Sequence, residues 1–241
     1  MKLQHFLSKN QIFSRRHAEK MIARGYVKLN GEVFTDFLYP ISDFDTISFH
    51  TKLHDYIATL GAVLVHKPRG IWTNCKQGLQ EKEVHDLLPK QYSQYSSIGR
   101  LDKDSEGLIL FTNDGIFANS FLNSGEEHVR TYHVWTKSPL TRADIKQLKA
   151  GVLLNDGPTK PCDIHELKPL CYEFKLTEGK NRQIRRMVEF CETYVTRLKR
   201  LTFGPHVLGG IVVGQFKFFS LADAFYKRLD IHNLTIDNSS S

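Results

Sequence analysis

GRLDKDSEGLILFTNDG, residues 99–115, is the stretch on which the reading of the chain turns. Leu108 to Phe111 form a short apolar run bounded by Gly107 and by the turn signal Asn113-Asp114-Gly115, which is the pattern of an interior strand. Arg100, Asp102, Asp104 and Glu106 lie just upstream at alternating positions. In extended chain Arg100, Asp102 and Asp104 would share one side, with Leu101 and Lys103 on the other. A carboxylate beside a guanidinium stays ionised and is oriented by charge-assisted hydrogen bonds, as a nucleophile or general base requires. A surface ion-pair loop ahead of a core strand would show the same pattern, so these residues alone leave both readings standing.

Outward from this stretch, composition narrows the choice. A chain of 241 residues with 41% apolar residues is long enough for a small and a medium domain with an ordinary core. Cys75, Cys162, Cys171 and Cys191 show no C-x-x-C spacing, so they read as reduced thiols rather than a zinc site or a disulfide framework. The start, MKLQHFLSKN, is too polar for a signal-peptide core, and no later apolar run approaches membrane-spanning length. The expectation is a soluble, cytoplasmic monomer. The net charge of +7 is unevenly placed: residues 1–30 hold seven Lys or Arg against Glu19 alone, and residues 175–200 hold eight against three acids. Two basic clusters on an otherwise mildly acidic chain point to two contact surfaces for a polyanion.

Residues 1–55 read as a small separate module. Leu3, Phe6 and Leu7 have helical spacing, and Ser14 is placed to cap a helix from Arg15 to Arg24 with Ala18, Met21 and Ile22 on its apolar side. Arg16, Lys20 and Arg24 then form a basic ridge, beginning beside Arg15, and Gly25 ends the helix. Asn30-Gly31 between two short apolar runs predicts a hairpin. His50 and His54 have the spacing of a helical metal pair but lack a third ligand nearby.

Beyond a boundary near residue 60, a second domain is expected over residues 60–230, followed by a disordered tail over 231–241. Strands are predicted at Ala62–His66, Arg130–Lys137, Tyr172–Thr177, Tyr194–Leu198 and Gly214–Phe219. Helices are predicted at Glu83–Leu88, around Phe117–Leu122 and ending at Gly125, after the capping box Thr141-x-x-Asp144, and from Ala222. A further helix starts near Arg182; its apolar stripe, Ile184, Met187, Val188 and Cys191, would leave Arg182, Arg185, Arg186 and Glu189 outward. Trp135 reads as core, Asp114 as a turn former and Glu106 as solvent-facing. The irregular alternation of strands and helices gives an α+β class with a mixed, mainly antiparallel sheet. No Walker loop or dinucleotide fingerprint is present, and no cofactor or metal is expected.

Several stretches together, SRRHAEKMIARGYVKLNG, HKPRG, GRLDKDSEGLILFTNDG, RTYHV and EGKNRQIRRM, resemble the RsuA-type RNA pseudouridine synthases, in particular the branch represented by large-subunit pseudouridine synthase F. The first stretch resembles the S4 RNA-binding module. The resemblance runs from residue 1 to about 228, and GRLDKDSEGL with NRQIRRM carries it most specifically. It implies an S4-like module followed by a synthase domain that isomerises uridine in ribosomal RNA, 23S above all, without a cofactor. It makes Asp102 the catalytic aspartate, Tyr132 the tyrosine that packs on the target base, and Arg185 the basic partner of the aspartate. Arg100 falls near the flipped nucleotide, and Arg182, Arg186, Lys67, Arg15, Arg16, Lys20 and Arg24 are its further RNA-contact candidates. Two departures stand out: His66 where the family commonly has Asn, and Arg130 where Lys usually precedes the tyrosine by two.

The chemistry fits those residue types. Turning uridine into pseudouridine breaks the C1′–N1 bond and rejoins the base through C5, with nothing added and no net redox change. The base must leave its stack, at a cost of a few kcal/mol, and an aromatic ring beneath it returns roughly 1–3 kcal/mol. Two other classes remain on the sequence alone: a non-catalytic S4-type RNA-binding or ribosome-assembly factor, and a metal-dependent nuclease using Asp102, Asp104 and Glu106.

Overall fold

The structure, a computed structural model, describes residues 1–75, 81–122 and 127–237. In chain order its elements begin with α1 Leu3–Lys9, α2 Arg15–Ala23, β1 Val27–Leu29, β2 Glu32–Val33, β3 Ile47–Phe49, α3 Leu53–Ala58 and β4 Gly61–Lys67. They continue with β5 Ser96–Ile98, β6 Glu106–Thr112, α4 Gly115–Leu122, β7 Arg130–Thr136, α5 Arg142–Ala150, β8 Leu153–Leu154 and β9 Gly157–Pro158. The remainder is β10 Asp163–Lys168, β11 Cys171–Leu176, α6 Gln183–Glu189, β12 Val195–Phe203, β13 His206–Val207, β14 Phe216–Ser220, α7 Ala222–Ile231 and β15 Thr235–Ile236. A single turn of 3₁₀ helix at Val84–Leu87 stands where the sequence predicts a short helix over Glu83–Leu88, and a second follows at Lys90–Tyr92. Among the described residues no helix is long and apolar enough to cross a membrane.

The chain divides into two compact units: Met1–Ala62 with Thr112–Ser120 and Phe218–Ser241, and Val63–Phe111 with Phe121–Lys217. In the first, Asn30 and Gly31 both adopt positive φ, 54° and 86°, which is the geometry of the tight hairpin that Asn-Gly favours. Strand order is β15-β3-β1-β2. Leu7, Ile22, Phe49 and Ile57 pack in one core with Phe225 and Leu229 of α7, so the C-terminal helix belongs to the N-terminal unit. That corrects the division at residue 55, because the apolar face of α7 finds its partners among α1 to α3. It also corrects the disordered tail: Leu234 is buried and β15 pairs in parallel with β3. The last four residues, like Gly125 as a helix end, lie outside the described residues.

Within this unit Asp114 does more than form a turn. Its carboxylate accepts the Ile116 amide at 2.8 Å at the start of α4 and pairs with Arg228 at 2.6 Å, both partners largely buried. His54 meets the Tyr226 hydroxyl at 2.8 Å, and the His50 ring accepts the Lys52 amide at 3.1 Å.

In the second unit the strands run β10-β11-β7-β12-β6-β4, with β13 on β12 and β5 on β6. β12 is antiparallel to β7 and parallel to β6, so the class is mixed α+β as expected. Every residue of β6 is buried, as a continuous apolar run predicts. Gly107 makes the β6–β12 approach possible: at φ +109° a Cβ there would lie 2.2 Å from the Arg200 carbonyl oxygen. Thr141 and Asp144 close a reciprocal capping box on α5, and Gly151 ends it at φ 102°. Glu106 is buried and bound by Arg197 at 2.6 Å, not solvent-facing. Trp135 is only half-buried and lies beneath the Arg197 guanidinium, 4.6 Å from its ring centre, so it is not core.

Candidate active site

The turn between Gly99 and β6 is clamped from three sides. Thr73 Oγ1 donates to the Leu101 carbonyl at 2.8 Å and accepts the Leu101 amide at 3.0 Å. Lys67 Nζ donates to the carbonyls of Pro68, Lys103 and Ser105 at 3.0, 3.3 and 2.7 Å. Arg185 Nη2 donates to the Asp104 carbonyl and to Ser105 Oγ, both at 3.2 Å. The Ser105 amide in turn closes on the Asp102 carbonyl at 3.0 Å. With its backbone fixed in this way, the turn presents the Asp102 side chain, 29% exposed, to a cavity of about 620 Å³.

Two guanidiniums flank that carboxylate: Arg182 Nη1 lies 3.6 Å and Arg185 Nε 3.7 Å from Asp102 Oδ2. Arg182 is the N-cap of α6 in left-handed conformation, φ 48°. Arg185, one turn into that helix, is buried against the Asp102 turn, whereas the apolar stripe places it outward. Burial lowers the Arg185 pKa, and the neighbouring Arg182 adds to this, against the attraction of Asp102 and Asp104. Arg185 Nε is buried without a hydrogen-bond partner, so its strongest available interaction is the ion pair with Asp102.

Tyr132 reaches the cavity through strand order. It sits in β7 opposite Arg200 of β12, and Arg200 is in turn opposite Gly107 of β6. One strand, β12, therefore separates the strand that follows the Asp102 turn from the strand that carries the tyrosine. Asp102, Tyr132, Arg182 and Arg100 all line the cavity, Arg100 being exposed.

Two sequence candidates fall elsewhere, and a third reaches the site in a way its helix pattern does not predict. Lys67 is fully enclosed and cannot touch RNA, contrary to its reading as a contact: its stem packs under the Asp102 turn, and burial lowers its pKa to about 8 despite the pull of Asp102, Asp104 and Glu106. Arg186 is held by Asp156 through two bonds of 2.8 and 3.0 Å and does not line the cavity. Arg185 is buried rather than solvent-facing, as above. In the other unit Arg15, Arg16, Lys20 and Arg24 are exposed along α2, as the ridge requires. Residue pattern missed Trp72, Arg130, Arg200 and Phe203, which also line the cavity. For Arg200 and Phe203 the signal was faint: the strand was expected to end at Leu198, whereas β12 runs on to Phe203.

The profile of the family described as RNA pseudouridylate synthase matches residues 61–190, which include the Asp102 turn, Tyr132 and Arg185. The dual-specificity RNA pseudouridine synthase RluF of Escherichia coli K12 is 34% identical over the whole chain and 81% of its own length. The ribosomal large subunit pseudouridine synthase B of Bacillus subtilis is 31% identical over 89% of this chain and 90% of its own. A crystal structure of a pseudouridylate synthase superposes with a TM-score of 0.66 at 25% identity, covering 95% of this chain and 99% of the other.

Proposed function

We propose, from the premise that the chain belongs to the RNA pseudouridylate synthase family, that it isomerises a specific uridine of large-subunit (23S) ribosomal RNA with Asp102 as the catalytic carboxylate. One observation carries this reading: the Asp102 carboxylate stands between Arg182 and Arg185 at the edge of a cavity whose wall also holds Tyr132. The enzyme is an isomerase. As the base leaves C1′, positive charge develops on the sugar, and a fixed negative oxygen beside it lowers the barrier. Tyr132 offers its ring to the extruded uracil, Arg185 holds the carboxylate in place, and Arg182 and Arg100 receive the displaced backbone. The proton lost from C5 and the proton gained at N1 balance, so no other reactant is required.

The ribosomal target is supported by the names of the relatives and by the exposed ridge of Arg15, Arg16, Lys20 and Arg24 beside a hairpin, the S4-like arrangement expected to bind structured RNA. The protein acts as a cytoplasmic monomer in this reading. Pseudouridine mapping of ribosomal RNA from cells with and without the gene tests it. One large-subunit uridine is expected to lose its modification and to regain it from a plasmid copy but not from Asp102→Asn. Unchanged modification at every ribosomal position would refute the assignment.

A further inference from the structure

Four residues on one sheet face stand out beyond the aspartate site. Arg130 pairs with Phe203 and Tyr132 with Arg200 across β7 and β12, and cross-strand partners point to the same face. Residues 200 and 203 would ordinarily face opposite ways; the register shift between Arg200 and Thr202 brings both to the cavity side. The two guanidiniums then lie against one ring, Arg130 at 4.5 Å and Arg200 at 5.1 Å from the Phe203 centre.

Arg200 is 3% exposed; its Nε donates to the Leu108 carbonyl at 2.7 Å while its Nη2 has no partner. Among the described residues Arg130 donates to the carbonyls of His128 and Thr177. Among the described residues the nearby carboxylates are engaged elsewhere: Asp102 with Arg182 and Arg185, Glu106 with Arg197, and Glu178 with the Lys160 amide and Gln183. Burial, aided by the charge of Arg200 and opposed by Tyr132, lowers the Arg130 pKa. Keeping Arg200 buried and Arg130 half-buried with no counter-charge among the described residues is costly, and an anion entering the cavity would offset that cost.

We propose that Arg130 and Arg200, set around Phe203, form a phosphodiester-binding subsite that grips the RNA backbone beside the target uridine. The subsite rests on the isomerase reading for its ligand, since RNA is what brings phosphate into this cavity. It assigns a positioning role to two arginines whose positions the active-site chemistry leaves unused.

The test measures binding, independently of turnover. Fluorescein-labelled decauridylate is titrated with the full chain by anisotropy between 50 and 300 mM KCl. Arg130→Met and Arg200→Met are each expected to lower the slope of log affinity against log salt by about 0.7 and to raise Kd roughly 10- to 100-fold. Arg200→Lys, which keeps the charge, should retain the slope. Should Arg200→Met fail to fold, Arg130→Met and Arg200→Lys carry the test. Slopes unchanged in folded Arg130→Met, no measurable binding by the parent protein at 50 mM KCl, or inorganic phosphate binding the cavity more tightly than the oligomer would each overturn the subsite. Absence of isomerisation by the parent protein would instead refute the proposed function and leave the slopes to be read by themselves.

Discussion

Replacing Arg185 by Met is the perturbation whose size the structure defines best. At the 3.7 Å that separates Arg185 Nε from Asp102 Oδ2, two unit charges attract by about 4–5 kcal/mol at an effective dielectric near 20. The Asp102 side chain is 29% exposed, and water there reduces the figure to roughly 1–2 kcal/mol. Arg185 also donates twice to the turn, to the Asp104 carbonyl and Ser105 Oγ, and losing those bonds loosens the carboxylate by about another 1–2 kcal/mol. Together the loss is about 2–4 kcal/mol of transition-state positioning, or roughly 30- to 1,000-fold in kcat. Arg185→Lys keeps the charge without the planar fork and should recover part of it. Single-turnover release of tritium from RNA carrying 5-tritiated uridine reads the effect, with circular dichroism as the folding control. A folded Arg185→Met enzyme within threefold of the parent rate would show that this guanidinium does not position the aspartate.

Three other outcomes follow from the same contacts. Lys67, with its pKa lowered to about 8 by burial, binds fewer protons folded than unfolded between about pH 8 and 10.5. Stability relative to Lys67→Met should therefore rise with pH in that window, by at most about 1.4 kcal/mol per unit; a relative stability that fell there in denaturant titrations would reverse the sign. Gly107→Ala, forced to place a Cβ 2.2 Å from the Arg200 carbonyl at φ +109°, should lose about 3 kcal/mol or more of stability in urea unfolding, and a loss under 1 kcal/mol would contradict the close approach of β6 and β12. Changing Arg16, Lys20 and Arg24 together to Gln should lower the salt slope of ribosomal RNA binding by about 2–3, with turnover on a short saturating RNA unchanged; normal binding of whole ribosomal RNA by that variant would remove the ridge from the contact surface.

Much of this arrangement was legible where local chemistry decides structure. The apolar run of β6 between Gly107 and Asn113, the Asn30-Gly31 turn and the Thr141 capping box each specify their conformation within a few residues. The errors arose where distant packing decides. Periodicity on α6 identified an apolar stripe but could not show that Arg185 would be drawn inward by a carbonyl and a hydroxyl of a turn some 80 residues earlier in the chain. In β12 the register shifts after Val195 and Arg200 break the alternation, so the strand seemed to stop before the residues that matter most to the cavity. Lys67 looked like a surface cation because nothing local announces three carbonyls converging on it. The two residues of β15 are too few to carry a pattern, and their pairing with β3 is visible only in three dimensions.

The most direct measurement of the central claim compares the parent protein with Asp102→Asn on ribosomal RNA labelled with 5-tritiated uridine, in the presence of EDTA. The parent is expected to release label in step with pseudouridine formation while the RNA keeps its length. Asp102→Asn, binding the same RNA, is expected to release none above background. Release by Asp102→Asn at the parent rate, or shortening of the RNA by the parent, would contradict the assignment of this carboxylate to uridine isomerisation.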